Sequence, residues 1–147
     1  MSTITGNPFE LEAMQKFALA VMVKKAKAMG LEKGVAFVCV RERGEGMGKV
    51  YFFVVNDVFT REPDPKIVGD LGTNYFGIAM MKLAVMMSTN GYSGVNVTVK
   101  GGESSYRGGL IRKDDDYTTY MGFSGGTEDQ DVEIATSGMI MMFADED

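Results

Sequence analysis

The sequence predicts an α+β domain: an α-β-α sandwich with a mostly antiparallel sheet of about five strands and three main helices. Three observations lead there. Segments with apolar residues at three- and four-residue spacing fall near the start, middle and end of the chain. Short β-branched and aromatic runs lie between them. The resulting order of helix, two strands, helix, about three strands and helix has too few crossovers for an all-parallel sheet. The 147 residues support one core, and no linker or internal repeat divides them, so residues 1–147 are expected to form a single domain.

Pro8 to Met29 reads as the first helix, with Asn7 as N-cap, Pro8 in the first turn and Gly30 as the stop. Leu11, Met14, Phe17, Ala18, Val21 and Met22 make its expected buried stripe. Val35 to Val40 and Val50 to Val55 are expected to pair as a hairpin across the glycine-rich connector Glu42 to Gly48. Phe59 to Pro65 is a loop. Helical patterning returns from Lys66, irregularly around Gly69 and Gly72, and is clearest over Asn74 to Ser88 before Asn90-Gly91 closes it. Gly77 inside this helix suggests close approach of a neighbouring backbone.

The alternation Val95-Asn96-Val97-Thr98-Val99 predicts a half-buried strand, followed by a polar loop over Gly101 to Gly109. Leu110 to Arg112 starts a short strand, Asp114 to Asp116 is a turn, Thr118 to Phe123 is the last strand, and Thr127 to about Ala144 the last helix.

Composition narrows the chemistry. A formal net charge of −5 gives no electrostatic footprint for nucleic acid or an anionic membrane, so neither partner is expected. No apolar run approaches the ~20 residues of a membrane-spanning helix. The first residues lack a signal-peptide pattern, and the single Cys39 fits a reducing compartment, so a cytoplasmic location is expected. Histidine is absent, which removes the usual base near neutral pH, the commonest zinc ligand and any His-based triad. The 13 methionines read as soft core filler rather than a thioether metal site, because adjacent Met residues on a helix point to different sides. No metal is expected.

The strongest local signal is Ser124-Gly125-Gly126-Thr127. Two glycines after a strand permit positive φ and leave their amides uncovered by a Cβ. Thr127 with Gln130 makes a capping box at the start of the last helix. Free amides at a helix start favour an anionic group, although a tight turn with no ligand explains the same residues.

The run Tyr120 to Asp131, containing Ser-Gly-Gly-Thr and then Gln130-Asp131, resembles the C-terminal motif of the GlcG/HbpS-like family. Gly108-Gly109-Leu110-Ile111 is similar to that family's upstream segment, without its proline. The resemblance implies an α-β-α domain, assembly into homo-oligomers, and a haem or corrinoid cofactor or an accessory role beside small-molecule enzymes. Haem held by histidine is not transferable here; a Tyr, a Met or Cys39 would have to replace it, and Cys39 reads more simply as a buried hydrophobe.

Three functions follow, one of them a scaffold or accessory protein whose main product is the oligomer. In a small-molecule or cofactor-binding module, the amides of Gly125, Gly126 and Thr127 and the hydroxyls of Ser124 and Thr127 hold an anionic ligand. Arg107 beside Gly108-Gly109 is a candidate partner for the same anion, or simply a solvated loop charge. Tyr75, Tyr106 and Tyr120 are candidates to line the pocket, with core packing the default for Tyr120 on its strand. In an enzyme acting on a small organic acid, Asp131 or Glu128 is the candidate acid or base, needing a pKa raised by burial. The same residues also suit a helix N-terminus without any catalysis.

Overall fold

The computed structural model describes residues 8–43, 48–95 and 106–143. The N-cap expected at Asn7, the middle of the glycine-rich connector, the strand expected over 95–99 beyond its first residue, most of the loop after it and the acidic end lie outside the described residues.

Helix α1 spans Pro8–Ala28, and strands β1 (Val35–Glu42) and β2 (Lys49–Val54) follow as an antiparallel hairpin. Two short strands, β3 (Thr60–Arg61) and β4 (Thr73–Asn74), pair with each other ahead of helix α2 (Tyr75–Thr89). Strands β5 (Gly109–Lys113) and β6 (Tyr117–Ser124) form a second hairpin, and helix α3 (Glu128–Phe143) follows. The main sheet has four strands in the order β2-β1-β6-β5, antiparallel throughout among the described residues. The α+β class and the sandwich are therefore as the sequence predicts, with four main-sheet strands described.

Alternation on the central strands sorts the core into two halves. Ala36, Val38 and Val40 of β1, with Met121 and Phe123 of β6, face α1 and α3. Val35, Phe37 and Cys39, with Tyr120, face α2. Both faces of β1 are covered, which is why Val35 to Val40 is an unbroken apolar run with every residue buried. Gly138 lets α3 settle onto this layer: a Cβ there would meet Met121 Sδ at 2.6 Å and Met22 Cγ at 2.8 Å.

Three local expectations change, and Tyr120 takes the core position that is its default. Phe17 leaves the buried stripe and stands 62% exposed. The core side of α1 is centred on Gln15, Ala18, Leu19, Met22 and Ala26, and Phe17 lies two residues, about 200°, around the helix from Leu19. Helix α2 does not begin at Lys66. Residues 62–72 are turns, tied by Asp70, which accepts bidentate bonds from Arg61 (2.8 and 2.9 Å) and the amides of Asp64 (2.8 Å) and Gly72 (2.9 Å). Asn74 caps the helix by accepting from the Gly77 amide at 3.0 Å. Gly77 accommodates that cap rather than a neighbouring backbone, because a Cβ would meet Asn74 Nδ2 at 3.2 Å. Tyr120 is sealed in the core, and its hydroxyl takes a 2.6 Å bond from Arg41.

Candidate functional site

Strand β6 ends at Ser124 and the chain reaches α3 in three residues. Gly125 has φ +149°, and a Cβ there would lie 2.6 Å from Gly34 Cα and 2.8 Å from the Lys33 carbonyl oxygen. No other residue fits that path past the start of β1 without backbone movement. The capping box forms as its residues dictate: the Thr127 amide donates to Gln130 Oε1 (2.9 Å), and the Gln130 amide donates to Thr127 Oγ1 (3.2 Å).

An internal anion sits at this turn. Asp131, one turn into α3, folds its carboxylate back so that Oδ1 accepts from the Gly126 amide at 2.8 Å, and the neighbouring Gly125 amide also favours its charged form. Its other oxygen, Oδ2, accepts from Lys82 Nζ of α2 at 2.9 Å. Lys82 also donates to the Phe123 carbonyl oxygen at 2.7 Å. Both side chains are buried, Lys82 at 1% and Asp131 at 4% exposure. Gly108 closes the pair from the β5 side with φ +120°: a Cβ there would lie 2.7 Å from Lys82 Nζ and 2.7 Å from Asp131 Cβ.

Burial dominates the electrostatics. It pushes the Asp131 carboxyl up to about 6, against the opposing pull of Lys82 and the two glycine amides. Burial also lowers the Lys82 ammonium from its ordinary value, with Asp131 and then Glu128 resisting. The two shifts share one cause, loss of water, which the ion pair only partly offsets.

The pair forms the floor of a cavity of about 310 Å³. Ser124, Gly125, Gly126, Thr127 and Glu128 line it together with Thr73, Tyr75, Ile78 and Tyr106. Tyr75 and Tyr106 thus reach this cavity, whereas Tyr120 does not. Arg107 is placed elsewhere. Its amide donates to Glu128 Oε1 at 2.8 Å and its guanidinium pairs with Asp129, so it braces the first turn of α3 from outside. With Gly108 and Gly109 it lines a second cavity, of about 420 Å³, between β5 and α3. The structure therefore brings Ser124 to Glu128 and Asp131 around one space and leaves Arg107 and Gly109 at another.

The residues here do not fit a haem or corrinoid. The amides expected to hold propionate-type groups are taken by Asp131 and Gln130, and the floor bears a carboxylate. Cys39 is sealed beneath α2, its thiol pushed up to about 11 by burial.

Lys82 is the residue that sequence reasoning missed. Its signal was present: Ala79, Lys82, Leu83 and Met86 recur at helical spacing on the buried face of α2, and a lysine in such a stripe asks for a partner. No family model, no curated protein and no solved structure matches the chain.

Proposed function

We propose that this chain is a small-molecule-binding module of the GlcG/HbpS-like type, its ligand seated in the cavity beside Ser124 to Thr127. The carrying observation is the buried Lys82–Asp131 pair at the floor of that cavity. Asp131 already occupies the anion position offered by the turn, so a ligand's acid group enters by replacing Asp131 as the partner of Lys82. A cavity of about 310 Å³ lies at the small end of ligand pockets and suits a compact polar molecule.

The test is a panel of small mono- and dicarboxylic acids and neutral polyols, read by thermal shift and by the amide resonances of Gly125, Gly126 and Thr127. Binding that moves these resonances, and is lost in Ile78→Trp while the melting temperature holds, supports the proposal. A panel that moves none of them overturns it.

A second reading has one observation in its favour. A carboxyl near pH 6 beside an amine of lowered pKa is a proton-transfer pair placed in the range an acid or base needs. On that reading Asp131 is the acid or base of an enzyme acting on a small organic acid, with Lys82 holding the substrate's charge. Turnover with an apparent pKa near 6 that disappears in Asp131→Asn marks the enzyme; binding without turnover marks the module.

A further inference from the structure

Lys82 is placed as a reactive amine is placed, at the inner end of a cavity wall. Tyr75, Ile78 and Lys82 follow one another at three- and four-residue spacing along α2, and all three line the cavity beside Ser124 to Thr127. Two acceptors anchor the ammonium, Asp131 Oδ2 at 2.9 Å and the Phe123 carbonyl oxygen at 2.7 Å. An ammonium has three protons to donate, so these bonds fix Nζ without using all of it. Gly108 turns no side chain toward Nζ; a Cβ there would lie 2.7 Å from it. Among the described residues lining the cavity, Lys82 is the one cation, and Asp131 and Glu128 are the carboxylates. An entering acid group therefore has a single place to settle.

We propose that the ligand is a short 2-oxo acid, captured by Lys82 as a Schiff base with Asp131 carrying the protons. This rests on the reading that the cavity takes a small acid. In a 2-oxo acid the carbonyl carbon is bonded directly to the carboxylate carbon. Pairing of the acid group with Lys82 therefore sets the electrophilic carbon next to Nζ, the near-attack arrangement that covalent capture needs. Once the nitrogen has become an iminium, the same carboxylate balances its charge.

The proton path closes within the pair. Lys82 passes one proton to Asp131 as the acid group takes the place of Asp131 beside it. The amine lone pair then forms the C–N bond, and the carbonyl π pair moves to oxygen, which takes that proton back from Asp131. The nitrogen gives Asp131 a second proton, leaving a neutral carbinolamine. Asp131 delivers this proton to the hydroxyl, which departs as water while the nitrogen lone pair closes the C=N bond. The products are an iminium beside the Asp131 carboxylate and one water, with no oxidant or reductant consumed. Burial opposes both charges of the resting pair, which brings the neutral amine within reach.

Pyruvate with sodium cyanoborohydride tests this on the full chain at neutral pH, read by intact mass and peptide mapping. One adduct is expected, on Lys82, heavier by pyruvic acid less one oxygen. It forms more than about tenfold faster than at any exposed lysine, as for an oriented and desolvated amine. That preference disappears in guanidinium, where the cavity is lost. Asp131→Asn, similar in shape but unable to carry the proton, slows the adduct by on the order of a hundredfold. No adduct on native Lys82 overturns the proposal, as does labelling spread evenly over the lysines. An Asp131→Asn protein that is folded and labelled as fast as wild type refutes the proton path. Lactate, an acid of the same size without the carbonyl, separates the two readings. If lactate and pyruvate both move the Gly125 to Thr127 resonances and no adduct forms, the cavity is an acid site and the Schiff base alone fails. If neither acid moves them and no adduct forms, the underlying reading of the cavity fails as well.

Discussion

Lys82 Nζ lies 2.9 Å from Asp131 Oδ2, joining α2 to α3 across the end of β6 with almost no exposure of either side chain. Removing one partner strands the other, which costs about 3–5 kcal/mol for a buried pair. Lys82→Met is therefore expected to destabilise the fold by roughly that amount. Urea denaturation at pH 8 measures it.

The same pair sets a pH dependence. The Asp131 carboxyl is raised from 3.8 to about 6 in the folded protein, so the native state binds its proton more tightly than the unfolded state. Its contribution to stability is full below 3.8 and declines as pH rises to about 6. Lys82→Met removes an opposing cation and pushes the carboxyl higher still. The stability gap between Lys82→Met and wild type should therefore be smaller at pH 5 than at pH 8.

Gly125 offers a backbone test. Its φ of +149° and the 2.6 Å approach of Gly34 Cα leave no room for a methyl group. Gly125→Ala should cost about 1–3 kcal/mol through strain, seen as a shifted urea midpoint with unchanged slope. Any change in ligand affinity is expected to follow that loss of stability rather than to appear alone.

Cys39 is a chemical reporter of the α2-side core. Buried, with its thiol pushed up to about 11, it should resist a disulfide reagent in native buffer. Full labelling is expected in guanidinium. Rapid labelling of the native protein would show that α2 opens readily from the sheet.

Asp70 organises the turns before α2. Arg61 and the amides of Asp64 and Gly72 hold its carboxyl well below the usual carboxylate range. Its contribution is present above the ordinary carboxylate pKa and is lost as pH falls toward the depressed value. Asp70→Asn should speed tryptic cleavage after Lys66 at neutral pH, measured by mass spectrometry against the wild type.

Where periodicity and punctuation agree, the chain was legible. The Ser124 to Thr127 turn, the capping box at Gln130, the hairpin of β1 and β2 and the close of α2 at Asn90 each follow from residues adjacent in sequence. Phe17 was misplaced because several apolar stripes overlap on α1, and only tertiary packing chooses which faces the sheet. The floor of the cavity was half legible. Asp131 announces itself beside the glycine turn, but its partner comes from another helix, and no local pattern states that α2 and α3 meet there. Arg107 shows the same limit. It lies next to Gly108 in sequence, yet its guanidinium is turned outward to Asp129.

The central ladder pairs Val35 with Ser124, strands drawn from opposite ends of the chain. During synthesis, the β1–β2 hairpin emerges early and has no second neighbour until β6 follows. A lone hairpin is marginal in water, so the sheet cannot close stepwise as the polypeptide leaves the ribosome. Closure waits for the C-terminal third, and with it for the glycine turn that aims α3 at α1. Truncation ahead of Tyr117 removes β6 from the middle of the sheet rather than a strand from its edge.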